Sequence, residues 1–494
     1  MDDTIGLLSI GAYIPRLRLS RQLIADANRW FNPALRGMAR GERAVCSWDE
    51  DTVTMAVEAS RQALAGSPLA NAPGAPGAAD GIGALYLAST TLPFDDRQNS
   101  GMVVAALNLP TATRTMDTTG SARAATSALR AAFDSVAAGG PAALVASAEH
   151  RRTRAASAQE MLYGDGAAAA VVGRGEPIAL LVGAVTETLD FVPQFRASDR
   201  EHDYAWEERW IRDEGYLKIV PVALERLFAE TGVKPSEITH FCLPCTLRRV
   251  PEGVAKRAGI SASAVRDNLG ERCGDTGSAH PLLMLAHALE DAKPGDRIVV
   301  ASFGEGCDAL LFEVTGALAA RPFDGVSNAL ARRAELAPYQ RFLAVNETVE
   351  VERGMRAEVD KGTPLSVLYR NREMVFGLVG GRCRQCGTHQ FPSGRYCVNP
   401  ECNALDSQDD YRFADVPGTV NSYTADSLTY CPDPPAYYGM VQFDGGGRLM
   451  ADFSDIDPER LDVGLRMRMV FRIKDIDAQR GFVRYFWKAA PLDA

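Results

Sequence analysis

Residues 120–147 lie over residues 275–302 without a gap, at an offset of about 155 positions. Ala124/Ala279, Ala131/Ala286, Ala137/Ala292, Gly140/Gly295, Val145/Val300, Ala146/Ala301 and Ser147/Ser302 are identical. Each copy reads as a small-residue turn, then a helix, then a buried strand. Two sources of this likeness stand open: a duplicated unit, or the alternation of buried strands and helices common to α/β chains. Either way the first ~315 residues are of α/β class. Buried-type strands at 84–88, 142–147, 167–172, 239–243 and 297–302 alternate with helical patterns at 49–65, 124–138, 217–230 and 281–292. At 494 residues the chain exceeds one ordinary core, so several domains are expected. We divide it into two α/β halves (1–175 and 176–316), a charged, helix-prone connector (317–376) that reads as solvated, a ribbon (377–410) and a small barrel (411–494).

The first copy opens at Asp117-Thr118-Thr119-Gly120-Ser121-Ala122. Small residues at a strand-to-helix turn let another backbone come close and leave the first helical N–H groups free. Nucleophiles and oxyanion sites are built on such turns. No cysteine stands in this one.

Cys383-x2-Cys386 and Cys397-x4-Cys402 are separated by ten residues. Two knuckles presenting four thiolates suit tetrahedral Zn²⁺, and Gly387 suits the turn after the first pair. Four cysteines leave no open coordination position, so a structural Zn²⁺ is expected. His389 is a spare donor or a surface histidine. After the ribbon, runs at 418–424, 438–443, 448–453, 465–473 and 481–487 alternate in strand fashion around turns such as Asp444-Gly445-Gly446-Gly447. Five short strands predict a barrel of OB type. The apolar loop Pro432–Tyr438 either covers an acyl channel or packs on that barrel.

The net charge of −10 argues against nucleic acid as a partner. The acidic opening MDDTIGLLSIGAYIPR lacks the basic start and long apolar core of a secretory signal. No stretch nears ~18 uninterrupted apolar residues, so no membrane span is expected. Ten cysteines in such a chain read as cytoplasmic thiols and ligands.

The first ~315 residues resemble 3-hydroxy-3-methylglutaryl-CoA synthase and its thiolase-superfamily relatives. The motifs that carry the resemblance are Ile10–Pro15, Asp49–Ala56, Asp117–Gly120, Tyr163–Ala167 and Phe303–Ala309. The remainder resembles the zinc-ribbon/OB-fold domain that accompanies thiolase-like enzymes. The resemblance implies a duplicated five-layer αβαβα fold, a CoA thioester substrate and a homodimer formed through sheet edges. It also implies a catalytic Cys, Glu and His, whose positions fall here at Ala122, Thr90 and Cys242. All three are replaced. Without a thiolate the usual acyl-enzyme is lost, whereas an aldol or retro-aldol step needs only a base, an acid and a stabilised enolate.

The remaining candidates are Asp275, where relatives place an Asn that orients a carbonyl or water, and His280 as acid or base. Cys245 is a displaced nucleophile or a buried apolar residue, and Ser121 an oxyanion donor or a helix cap. Arg248 and Arg249 follow the strand where relatives place a basic CoA contact. Three readings follow. One is an acyl-CoA carbon–carbon bond enzyme of aldol/retro-aldol or Claisen (thiolysis) type. The second is a silent CoA-binding scaffold serving a thiolase or another CoA-pathway enzyme. The third is an acyltransferase using Cys245.

Overall fold

The computed structural model describes residues 4–321, 323–352 and 364–493. Nine strands form the body: β1 Ile5–Tyr13, β2 Ile82–Ala88, β3 Arg114–Thr118, β4 Ala142–Glu149, β5 Gly166–Arg174, β6 Ala179–Thr188, β7 His240–Cys242, β8 Arg297–Phe303 and β9 Gly306–Val314. Their order is β7-β8-β9-β6-β1-β5-β4-β2-β3. Read outward from the centre, β1-β5-β4-β2 and β6-β9-β8-β7 follow the same path. In both, the two neighbours nearest the centre are antiparallel and the outer pair is parallel. The two half-sheets pair through one bridge, Leu7↔Ala179. The likeness in sequence is therefore a likeness in topology. The first half adds β3 at its edge, parallel to β2.

Helices α1 Thr52–Ala65, α2 Ala124–Ala137, α3 Leu217–Thr231 and α4 His280–Asp291 fill the layers. The inward face of α2 carries Ala124, Ala125, Ala128 and Ala132 beside Leu129, Phe133 and Val136. These small side chains let α2 pack close to α4, whose Leu282, Leu285 and Leu289 share one core with β1, β4, β5 and β8. α1 covers the outer face of the first half and α3 that of the second. The result is the five-layer αβαβα arrangement.

The connector is less solvated than its charge implies. Leu336, Tyr339 and Phe342 are buried against Leu19, Ile24 and Leu35. Ala334 and Glu335 pair with Leu17 and Arg18. These three apolar residues outweigh Arg332, Arg333 and Arg341, which reach outward to Asp324, Glu42 and Asp433. The acidic run beginning at Glu347 lies outside the described residues beyond Glu352.

The C-terminal strands are β10 Gly418–Asp426, β11 Ala436–Phe443, β12 Arg448–Asp452, β13 Arg466–Asp477 and β14 Phe482–Pro491. They run in the order β12-β11-β10-β13-β14. A bridge between Phe453 and Ala489 closes them into an OB-type barrel. Its interior residues Val420, Val441, Phe471 and Trp487 belong to the same apolar core as Val53, Val57 and Leu64 of α1. The barrel is thus seated on the body.

Charge completes the seat. Arg472, fully buried, reaches Asp455 (3.0 Å), Glu50 (3.2 Å) and the Tyr13 hydroxyl (3.1 Å). Lys488 lies 2.9 Å from Asp49, and the Tyr485 hydroxyl donates to Asp51 at 2.6 Å. Glu58 holds Arg61 and Arg468, each at 2.8 Å. The Asp49-Glu50-Asp51 motif therefore docks the barrel as well as capping α1, where Asp51 accepts from the Thr54 N–H. The Pro432–Tyr438 loop is tied to the connector, because Asp433 takes both Nε (2.8 Å) and Nη2 (2.6 Å) of Arg341. Among the described residues no helix is long and apolar enough to cross a membrane.

Candidate active site and four-cysteine centre

The Asp117–Ala122 turn ends β3 and starts α2. Gly120 is left-handed (φ 83°), with open space where a side chain would project. Ala122 faces the loop between β8 and β9. A Cβ added to Gly304 would stand 3.0 Å from that of Ala122 and 3.3 Å from the Ser121 hydroxyl. Glycine at 304 is therefore what lets this loop close on the turn. Ala122 itself carries only a methyl group.

Arg123 locks loop to turn. Its Nε donates to the Gly304 carbonyl, its Nη2 to that of Glu305 (3.2 Å), and its Nη1 pairs with Asp308 at 2.8 Å. Asp308 also accepts from Thr126, Ser127 and Thr186. No side chain caps the N-terminus of α2, so its positive end lies open at this turn. Ser121 accepts from the Arg123 N–H and donates to Glu305 Oε2 at 2.6 Å. Glu305 is not legible as a site residue in the chain, where it stands between two glycines like any turn residue.

Glu149 is a second carboxylate that sequence reasoning missed. It ends β4 and is fully buried. Oε1 accepts from the Thr90 N–H (2.7 Å) and the Ser278 hydroxyl (2.6 Å). Oε2 accepts from the hydroxyls of Thr90 (3.1 Å) and Thr91 (2.8 Å). A charged residue closing an otherwise apolar strand was the available signal. A carboxylate is thus brought to Thr90 from the neighbouring strand.

Asp275 pairs with Arg151 at 3.2 Å and accepts from the Gly277 N–H at 2.9 Å. Burial alone would raise its pKa, but Arg151 and His280 together hold it below the ordinary value. His280 is buried, and both ring nitrogens are occupied. Nδ1 accepts from the Thr276 N–H (3.0 Å), which leaves Nε2–H to donate to the Asn268 carbonyl (2.6 Å). Burial lowers its pKa, in keeping with a neutral ring. Asp275 and His280 come together, with Nδ1 3.8 Å from Oδ1, while Ser121 sits apart on the facing turn.

The thiols of the second half point at backbone. Cys242 Sγ meets the Met284 carbonyl at 3.5 Å, and Cys245 Sγ the Leu247 carbonyl at 3.7 Å. Burial pushes both up to about 12, so both are neutral thiols at ordinary pH. Arg248 and Arg249 are exposed at the start of the following helix. The Asn268 side chain, bonded to the Cys245 carbonyl, joins this loop to 266–273, and Glu42 N–H to Glu271 O (2.9 Å) joins that in turn to the segment after Arg36.

In the ribbon, the four sulfurs of Cys383, Cys386, Cys397 and Cys402 lie within 4.8 Å of one another. Cys383–Cys402 and Cys386–Cys397 are 3.9 and 3.5 Å apart. Tetrahedral Zn–S bonds of about 2.3 Å require sulfur separations of about 3.8 Å, so the donor set fits. His389 is turned away: it stacks on Tyr411 at 4.2 Å and bonds the Gly445 carbonyl through Nδ1.

Two half-sheets of one topology about a central helix pair, with a cysteine ribbon and an OB barrel seated on them, define a thiolase-like protein fused to an accessory module. The chain belongs to the hydroxymethylglutaryl-CoA synthase family. It is 30% identical over 325 residues to the hydroxymethylglutaryl-CoA synthase of Aeropyrum pernix, covering 64% of this chain and 87% of that one. The synthase of Methanocella arvoryzae is 29% identical over 318 residues, covering 63% and 88%. Residues 228–313 match the family described as 3-oxoacyl-[acyl-carrier-protein] synthase III C terminal. Residues 412–472 match the C-terminal OB-fold domain of ChsH2. Among solved structures, MvaS in complex with 3-hydroxy-3-methylglutaryl coenzyme A shares the fold with a TM-score of 0.59 at 21% identity, covering 74% of this chain and 95% of that one. FabH from Pseudomonas aeruginosa shares it with a TM-score of 0.55 at 21% identity, covering 63% and 98%.

Proposed function

We propose that this protein makes or breaks a carbon–carbon bond next to the carbonyl of a CoA thioester, using oxygen acids and bases where its relatives' motif has a cysteine. The observation that carries this reading is Ala122. The turn, the close approach of Gly304 and the uncapped α2 terminus surround a residue that carries no sulfur. In the cleavage direction a carboxylate takes the proton of a β-hydroxyl. The Cα–Cβ bond breaks, its electron pair forms the thioester enolate, and an acid returns a proton to Cα. The α2 terminus stabilises the enolate oxygen. Glu305 and Ser121 are the proton-carrying groups, and Glu149, whose two oxygens are taken by Thr90, Thr91 and Ser278, is a positioning residue. Asp275 and His280 act as positioning residues, because their polar atoms are engaged by Arg151 and by backbone. Arg248 and Arg249 take the CoA phosphates at the exposed mouth, and Arg36 and the exposed Trp30 lie on the adjoining segment.

The ribbon holds a structural Zn²⁺, fixing the short strands Val379–Cys383 and Gln408–Arg412 under the barrel. The strand β3 pairs with β2 on one side only, which supports a homodimer through that edge. The test mixes purified protein with 3-hydroxyacyl-CoA thioesters in one direction, and with acetyl-CoA plus aldehydes or ketones in the other, following CoA species by mass spectrometry. Carbon–carbon turnover with the CoA ester retained is expected. CoA binding without turnover of any of these, with a thiolase also added, would replace this reading with the scaffold.

A further inference from the structure

We propose that Ser121 and Glu305 form a nucleophile–base pair that accepts an acyl group on oxygen in place of the missing thiolate. This deepens the reading above and rests on it for the identity of the acyl donor.

Four observations converge. The Ser121 hydroxyl donates to Glu305 Oε2 at 2.6 Å, the separation a general base needs to take a proton. The pair stands where the family's nucleophile would stand, since Ser121 Oγ and Ala122 Cβ crowd the same glycine, Gly304. Among the described residues no lysine or arginine side chain pairs with the Glu305 carboxylate, which is left to the serine. Finally, Glu305 is held at φ 45°, a left-handed conformation that residues other than glycine rarely adopt. The Arg123 clamp on the Gly304 and Glu305 carbonyls sustains it. A strained residue kept in place by a buried arginine, with its carboxylate on a serine, is an arrangement that packing alone does not call for.

The step balances without oxidant or metal. Ser121 Oγ attacks the thioester carbonyl carbon while its proton passes to Glu305. The C–S bond breaks, and the departing CoA sulfur recovers that proton. The products are O-acyl-Ser121 and free CoA. The acyl group is then available to a carbon nucleophile, which places the chemistry in the Claisen class.

A fluorophosphonate probe tests this without knowledge of the acyl group, because it reports serine nucleophilicity itself. The full-length protein is treated and the adduct mapped by peptide mass spectrometry. Intact mass after mixing with acetyl-CoA gives a second readout. We expect labelling at Ser121, none in Ser121→Ala, and a rate lowered about 100-fold or more in Glu305→Gln, the range for loss of a general base. Glu305→Asp, which keeps the carboxylate but shortens its reach, separates loss of the base from loss of fold by restoring part of the rate. Wild-type protein unlabelled at Ser121 by either reagent, or Glu305→Gln labelled at the wild-type rate, overturns the pair. Labelling at Ser121 without any acyl-CoA turnover upholds the pair and removes the proposed function. Turnover without labelling does the reverse.

Discussion

Replacing Glu58 with glutamine should loosen the seat between barrel and body in a strongly pH-dependent way. Glu58 is buried on α1, with Arg61 and Arg468 each 2.8 Å from its carboxylate. Burial alone would raise its pKa above the usual 4.5, but Arg61 and Arg468, with Arg472 further off, pull it down to about 2. A depression of about 2.5 units at about 1.36 kcal/mol each is worth about 3 kcal/mol of folding stability. The sign follows from the direction. A carboxylate more acidic in the folded than in the unfolded chain stabilises fully above its unfolded value, near 4.5, and that contribution is lost as pH falls toward about 2. Glutamine keeps the shape and loses the charge, so Arg468 loses its carboxylate and Arg61 is left with Asp415. Urea unfolding followed by circular dichroism at about pH 7 and about pH 3 should show the variant weaker by about 3 kcal/mol at the higher pH. The difference should shrink by at least half at the lower. A constant gap at both pH values, or none at neutral pH, would refute the electrostatic account of the seat.

Two further outcomes are expected. Removing the metal with a chelator, or substituting Cys397→Ser, should take the ribbon from about one zinc per chain to none by elemental analysis. Hydrogen exchange should then rise in residues 379–412, while the central α2–α4 core stays protected. Asp275→Asn should destabilise the fold by about 3 kcal/mol, because it removes the negative charge that faces the buried Arg151 guanidinium. Asp275→Glu should recover part of that loss, read as a melting temperature. Equal melting temperatures for wild type and Asp275→Asn would show the pair to be dispensable.

Much of this architecture was legible because its signals are local. The five barrel strands were readable from alternation between glycine-rich turns, and they fall where that pattern set them to within a few residues. The ribbon's donor set lay in two short spacings. The connector was not legible in the same way. Its charge implied solvent, whereas Leu336, Tyr339 and Phe342 go inward, and composition averaged over a segment hides three residues on one face.

By itself the sequence determined the α/β class of the body, the run of barrel strands and the four-cysteine ribbon. Each of these is written in neighbours only a few positions apart, where periodicity, turn chemistry and residue identity are felt directly. Only the tertiary structure decided who meets whom. Ser121 and Glu305 are separated by 184 positions, and Asp49 and Lys488 by 439. Burial patterns say that such groups leave water but carry no information about their partners. Two sheets had to stack across a pair of close-packed helices, and a barrel had to settle on α1, before those charges acquired theirs.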